Sequence, residues 1–171
     1  MEVAERSRAR VQEQLARLEQ EFGSTAVDQT TFSVGPDAYQ EAVERSREGQ
    51  VDVRAFVRNE AGDVLLSEDN GSWSIPHGQT RGGERPASAA KRVVSDAAGV
   101  DCTIQDVVRA TIRGVRNSAD ADDETVYRLS AVFDGEIDST ALGDGAVADA
   151  VAAGDTDTPI RWDEAAVAEF V

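Results

Sequence analysis

The stretch 73–100 constrains this chain more than any other. It reads W-S-I-P-H-G-Q-T-R-G-G-E-R-P-A-S-A-A-K-R-V-V-S-D-A-A-G-V. An apolar Trp-Ser-Ile-Pro segment runs into a loop holding Gly78, Gly82 and Gly83, and the loop opens onto a helix that stops at Gly99. Pro86 suits the first turn of that helix, where its missing N–H costs nothing. A strand, a glycine-rich loop and a helix N-terminus can bring backbone N–H groups to an anion, an arrangement that often carries chemistry on phosphates.

The remaining segments supply a frame for it. Val11, Leu15, Leu18 and Phe22 fall at helical spacing, and Glu2–Arg6 and Glu13–Arg17 are i,i+4 pairs with the acid first, so residues 2–22 are predicted to form a helix. Its apolar stripe packs either on its own domain or on a second copy in a homodimer; too few heptads are present for a coiled coil. Residues 25–34 are polar and β-branched and read as extended, and Pro36 opens a short helix closed by Gly49. Val51, Val53, Ala55 and Val57 alternate with Asp52, Arg54, Phe56 and Arg58, which predicts a strand with one apolar face and a hairpin partner at 64–66. Residues 101–104 and 107–115 read as two strands, and 117–124 as an acidic loop. Residues 125–133 read as a strand with Tyr127, Leu129, Ala131 and Phe133 on one face. A weak helix is expected at 146–153, a short strand at 159–162, and a final helix capped by Asp163. Strands on both sides of a central helix predict a mixed α/β fold in a chain of 171 residues, long enough for a real core.

Charge narrows the function classes. Asp and Glu number 33 against 17 Lys and Arg, giving a net charge of −16, and Lys91 is the only lysine. The periodic apolar segments argue against a disordered acidic chain, and the spread of the acids argues against a partner-binding tail. Such a composition resembles that of proteins from halophilic archaea, whose self-repulsion is screened by molar salt. Nucleic-acid binding through a basic patch is disfavoured. Cys102 stands alone, so no internal disulfide can form and a reducing cytoplasm is expected. No apolar run reaches the roughly 20 residues needed to span a bilayer, and the charged start from Glu2 is unlike a secretory signal.

The stretch 73–100 resembles the signature of the Nudix hydrolase family, which runs Gly, five residues, Glu, seven residues, then Arg-Glu-U-x-Glu-Glu-x-Gly-U with U aliphatic. Gly78, Glu84, Arg92, Val94, Gly99 and Val100 fall at the required spacings, and Asp96 stands at the second clustered glutamate. Trp73-Ser74-Ile75-Pro76 looks like the family's lead-in. The resemblance covers roughly 51–171 and leaves 1–50 as an N-terminal helical extension. It implies a Nudix fold, a mixed β-sheet sandwiched between α-helices.

In that family the three clustered glutamates share one helix face and bind Mg²⁺ or Mn²⁺, which holds a diphosphate and activates water. Here those positions are Val93, Asp96 and Ala97. The resemblance assigns catalytic roles to Asp96, Arg92 and Glu84. It assigns substrate contacts to His77, Gly78, Arg81, Gly82 and Gly83, and metal contacts to Asp96 and the backbone carbonyl of His77. Glu124, Glu136 or Asp144 could supply a further ligand from another loop. Plainer roles stay open beside these. Asp96 could be a helix-face acid paired with Arg92, Glu84 a partner of the helix dipole, and His77 an ordinary loop histidine. Two functions remain in play: weak or lost metal-dependent hydrolysis of a nucleoside diphosphate linked to another moiety, or a Nudix-fold domain that binds a nucleotide or a protein without cleaving. A purely structural subunit is a third.

Overall fold

The computed structural model of the chain describes residues 2–59, 63–69, 72–137 and 160–163. The helices expected at 146–153 and after Asp163 lie outside the described residues. The elements in order are α1 (Glu2–Phe22), β1 (Val27–Val34), α2 (Pro36–Arg47), β2 (Asp52–Arg58), β3 (Val64–Asp69), β4 (Ser72–Ser74) and β5 (His77–Gln79). They continue with α3 (Pro86–Ala98), β6 (Cys102–Asn117), β7 (Val126–Ile137) and β8 (Ile160–Asp163). The strands form one sheet in the order β1-β6-β7-β2-β3-β4, with β5 on β2 and β8 on β3. β1 runs parallel to β6, whereas β3 is antiparallel to β2, β4 and β8. The mixed α/β class expected from the sequence is the class observed.

The chain divides into two compact units, one of Met1–Asp52, Gln79–Pro86 and Val107–Ala131, the other of Val53–Gly78, Ala87–Asp106 and Val132–Val171. In the first unit α1 buries Val11 and Leu18 from its predicted stripe, while Glu13 and Arg17 pair at 2.6 Å on its exposed side. The start of α1 is tied down by polar contacts. Glu124 accepts the Val3 N–H at 3.2 Å, and the Ser7 hydroxyl accepts the Tyr127 N–H at 2.9 Å. α2 carries Pro36 at its first turn and buries Tyr39, Ala42 and Val43 with Val115 and Val126. The Tyr39 hydroxyl donates to the Glu124 carbonyl, so one short segment anchors both helices.

In the second unit Val53, Ala55, Phe56, Val57, Leu65 and Ile75 are fully buried, and α3 buries Ala89, Ala90, Val93, Val94 and Ala98. Burying each larger aliphatic or aromatic side chain contributes roughly 1.5–3 kcal/mol. The Gly99 N–H closes α3 on the Ser95 carbonyl at 2.8 Å.

Three expectations are corrected. The two strands expected at 101–104 and 107–115 are one strand of 16 residues, because Gln105 and Asp106 are exposed positions within it rather than a break. Phe56 is buried although its neighbours in the alternation are polar, so β2 does not have a single apolar face. β7 likewise buries Arg128 and Ser130 together with Leu129 and Ala131. Arg128 is accommodated by Asp52, whose Oδ1 accepts from Nη2 at 3.0 Å, and by the Gln50 carbonyl at 3.5 Å.

Candidate functional site

The signature residues are divided between the two units. Arg81, Gly82, Gly83 and Glu84 belong to the first; His77, Gly78, Arg92, Val93, Asp96 and Ala97 belong to the second.

In the first unit the root of the loop is a two-way clamp. The Thr80 N–H donates to the Val51 carbonyl at 2.9 Å, and the Thr80 hydroxyl oxygen accepts the Val51 N–H at 3.0 Å. Beyond Thr80 the chain makes a tight turn in which the Glu84 N–H reaches the Arg81 carbonyl at 2.9 Å. Gly83 takes a φ of 75° there, a backbone conformation that a side chain would strain. Glu84 folds back on the same turn, its Oε1 accepting the Arg81 N–H at 3.0 Å. The carboxylate thus holds the loop's shape just before α3. Gly82, Gly83, Arg81 and Arg85 are exposed. Sequence reasoning left α1 outside this site. The structure puts Gln14 and Arg17 of α1 in the wall of a cavity that Arg81 and Arg85 also line. No sequence signal joins residues so far apart in the chain.

In the second unit Gly78 and Val93 meet. A β-carbon placed on Gly78 would lie 2.7 Å from Cγ1 of Val93, well inside van der Waals contact. Val93 itself is 7 % exposed. The side chain at the first clustered-glutamate position therefore packs on the signature glycine as an aliphatic group. One turn on, Asp96 pairs with Arg92 at 3.7 Å and its side chain is 64 % exposed, whereas that of Arg92 is 21 % exposed. Ala97 is half-buried. His77 is exposed, and its Nδ1 lies 3.2 Å from the Ile75 carbonyl, to which it donates in the tautomer protonated there.

A divalent cation of the hard type takes about six oxygen ligands, several of them carboxylates or carbonyls. The face that would hold it presents Val93 and Ala97 beside one ion-paired acid. Among the described residues no group of three His, Cys, Asp or Glu could hold a metal ion. Of the acids that could compensate, Glu124 is engaged with Val3, Glu136 is exposed, and Asp144 lies outside the described residues. The described residues do not by themselves fit a resident Mg²⁺ or Mn²⁺. A second carboxyl of this unit, Asp134, is pushed up by burial, an effect that Arg58 at 3.8 Å opposes and Glu136 and Asp106 reinforce.

The β2–β3 pair, the β5 strand leading through Gly78 to the turn at Glu84, and α3 carrying Arg92 through Asp96 follow one another in the order that the resemblance to the Nudix family leads one to expect. No family model and no curated protein matches the chain. Several solved structures are similar to it. A MutT protein from Methanosarcina mazei Go1 is 25% identical over 50% of this chain and 61% of its own, with a TM-score of 0.37. An ADP-ribose pyrophosphatase from Streptococcus suis is 19% identical over 52% of this chain and 60% of its own, with a TM-score of 0.38. A NUDIX hydrolase from Nitrosomonas europaea is 17% identical over 52% of this chain and 47% of its own, with a TM-score of 0.37. In each case the match spans less than two thirds of the solved chain.

Proposed function

We propose that this chain is a Nudix-type domain that binds a nucleoside diphosphate linked to another moiety and hydrolyses it slowly or not at all. The observation that carries the proposal is the packing of Val93 against Gly78. The family places a carboxylate there; an aliphatic group can neither coordinate an ion nor take a proton from water. A positioned general base contributes roughly 10²–10⁴-fold, and metal stabilisation of the attacking and leaving oxygens adds to that. A chain lacking both keeps the glycine turn and the arginines of the loop, which can hold phosphate oxygens. Binding thus survives where cleavage fades.

The setting we propose is a reducing cytoplasm of high salt. The composition with one lysine and the unpaired Cys102 support this reading. No helix among the described residues is long and apolar enough to cross a membrane.

The test is phosphate release from ADP-ribose, dinucleoside polyphosphates and nucleoside triphosphates, in molar KCl with Mg²⁺ or Mn²⁺, beside ligand-induced thermal stabilisation. Stabilisation with little or no turnover is the expected outcome. Turnover at an ordinary enzyme rate, about 1–10³ s⁻¹, that vanishes in Asp96→Asn would overturn it.

A further inference from the structure

In the first unit the loop at 80–86, the C-terminal half of α1 and the turn after α2 enclose a common cavity of about 710 Å³. That size lies within the range of roughly 300–1,000 Å³ typical of small-molecule sites. Its walls are held in place. Gln14 Nε2 donates to the Gly49 carbonyl at 3.0 Å, fixing α1 to the turn after α2, and the Thr80–Val51 clamp fixes the loop.

The chemistry of the lining is mixed in a specific way. Arg17 and Glu21 come from α1, and Arg81, Glu84 and Arg85 from the loop; Glu48 of the turn after α2 lines the same space, so three guanidinium groups stand among three carboxylates. Arg17 gives one donor to Glu13, and a guanidinium has five. Arg81 and Arg85 have no ion pair among the described residues. In a chain of net charge −16, guanidinium groups gathered from two distant segments offer an anion a local foothold. Guanidinium forks match phosphate oxygens, whereas carboxylates accept from hydroxyl or amino donors. A bare polyphosphate would meet repulsion from the acids. A molecule with phosphate at one end and hydroxyls at the other satisfies both sets.

We propose that this cavity binds a phosphorylated sugar or nucleotide, with its phosphate on Arg17, Arg81 and Arg85 and its hydroxyl groups donating to Glu21, Glu48 and Glu84. α1 is then a wall of the binding site. The ligand class rests on the function proposed above; the role of α1 goes beyond it.

The experiment is calorimetric titration of the full chain in molar KCl with ADP-ribose, ribose 5-phosphate and inorganic pyrophosphate. Arg17→Ala, Arg85→Ala and the double variant are compared with wild type, with Arg113→Ala as a control on β6. Arg17 is 74 % exposed in its side chain, so its loss should leave the fold intact, and unchanged thermal midpoints verify this for each variant. Expected are saturable binding of the two sugar phosphates, weaker binding of pyrophosphate, and a loss of roughly tenfold or more in each single variant. The double variant should lose less than the product of the two single losses, because both side chains hold one phosphate. If Arg85→Ala weakens binding and Arg17→Ala does not, the role of α1 is overturned while the function reading stands. Binding untouched by either variant places the ligand elsewhere and overturns the cavity assignment alone. Pyrophosphate binding as tightly as ADP-ribose overturns the ligand class. Absence of binding by every probe overturns the cavity and the binding function together.

Discussion

Val93 rests on Gly78 so closely that a single added methyl on the glycine would overlap its Cγ1, at 2.7 Å. The contact occupies the position where the resemblance to the Nudix family leads one to expect a carboxylate. Val93→Glu combined with Ala97→Glu puts acids at i, i+3 and i+4 with Asp96, on one face of α3. The expected result is Mg²⁺-dependent phosphate release at least 10²-fold above wild type. Mg²⁺ should also raise the melting temperature of the variant and leave that of wild type unchanged. An inert variant that gains no thermal response to Mg²⁺ would show that more than two side chains separate this site from a working one.

Arg128 is buried and pairs at 3.0 Å with the partly buried Asp52, their side chains 8 % and 18 % exposed, and among the described residues Arg128 Nε has no hydrogen-bond partner. Asp52→Ala strands the guanidinium in that environment and should cost about 3 kcal/mol in denaturant unfolding. Replacing both residues with aliphatic ones of similar size should cost much less. Equal losses in the single and double variants would show that the cation is not the source of the penalty.

Cys102 is buried, and burial pushes its thiol up to about 11, with Lys91 working against the shift and Asp101 reinforcing it. The unfolded chain releases this proton at lower pH than the folded chain does. The contribution to stability is therefore complete below about pH 9 and is lost as the pH rises through about 11, a difference of roughly 2–3 kcal/mol. Cys102→Ala should flatten the alkaline fall in stability between those limits. Alkylation of the folded protein at neutral pH should be slow and should accelerate on unfolding.

The charge excess makes stability depend on salt. Lowering KCl from molar to 0.1 M lengthens the screening distance from about 3 Å to about 10 Å, so acids that scarcely sense one another begin to repel. The melting temperature should fall steadily over that range. A midpoint indifferent to KCl would remove the basis for reading the composition as adapted to brine.

Local periodicity made much of the frame legible. Val11 and Leu18 are buried as their helical spacing predicts, and Pro36, Pro86 and Gly99 punctuate helices where the sequence places them. Anchor spacing located the glycine turn and the helix carrying Arg92 and Asp96. What stayed hidden depends on register. Arg128 looks like the polar half of an alternating strand until Asp52 is found beside it, and nothing in either segment announces the other. Gln105-Asp106 reads as a break because exposed polar residues interrupt an apolar pattern, although a strand with water on one flank tolerates them. The cavity shared by Arg17 and Arg85 is illegible for the same reason, since its walls are brought together by the fold.

β1 lies at the end of the sheet, paired in parallel with β6 from Val27 opposite Ala110 to Val34 opposite Asn117. The Ala26 and Val34 carbonyls accept from Ala110 and Ser118, so even-numbered residues turn their backbone polar groups toward β6. In a parallel ladder the N–H and carbonyl of one residue point the same way, so odd-numbered residues turn theirs outward. Deuterium uptake along this strand should therefore alternate. The amides of Gln29, Thr31 and Ser33 should exchange quickly, and those of Asp28, Thr30 and Phe32 slowly. A second molecule seated on that edge would erase the alternation, making a labelling experiment a reporter of strand-to-strand association.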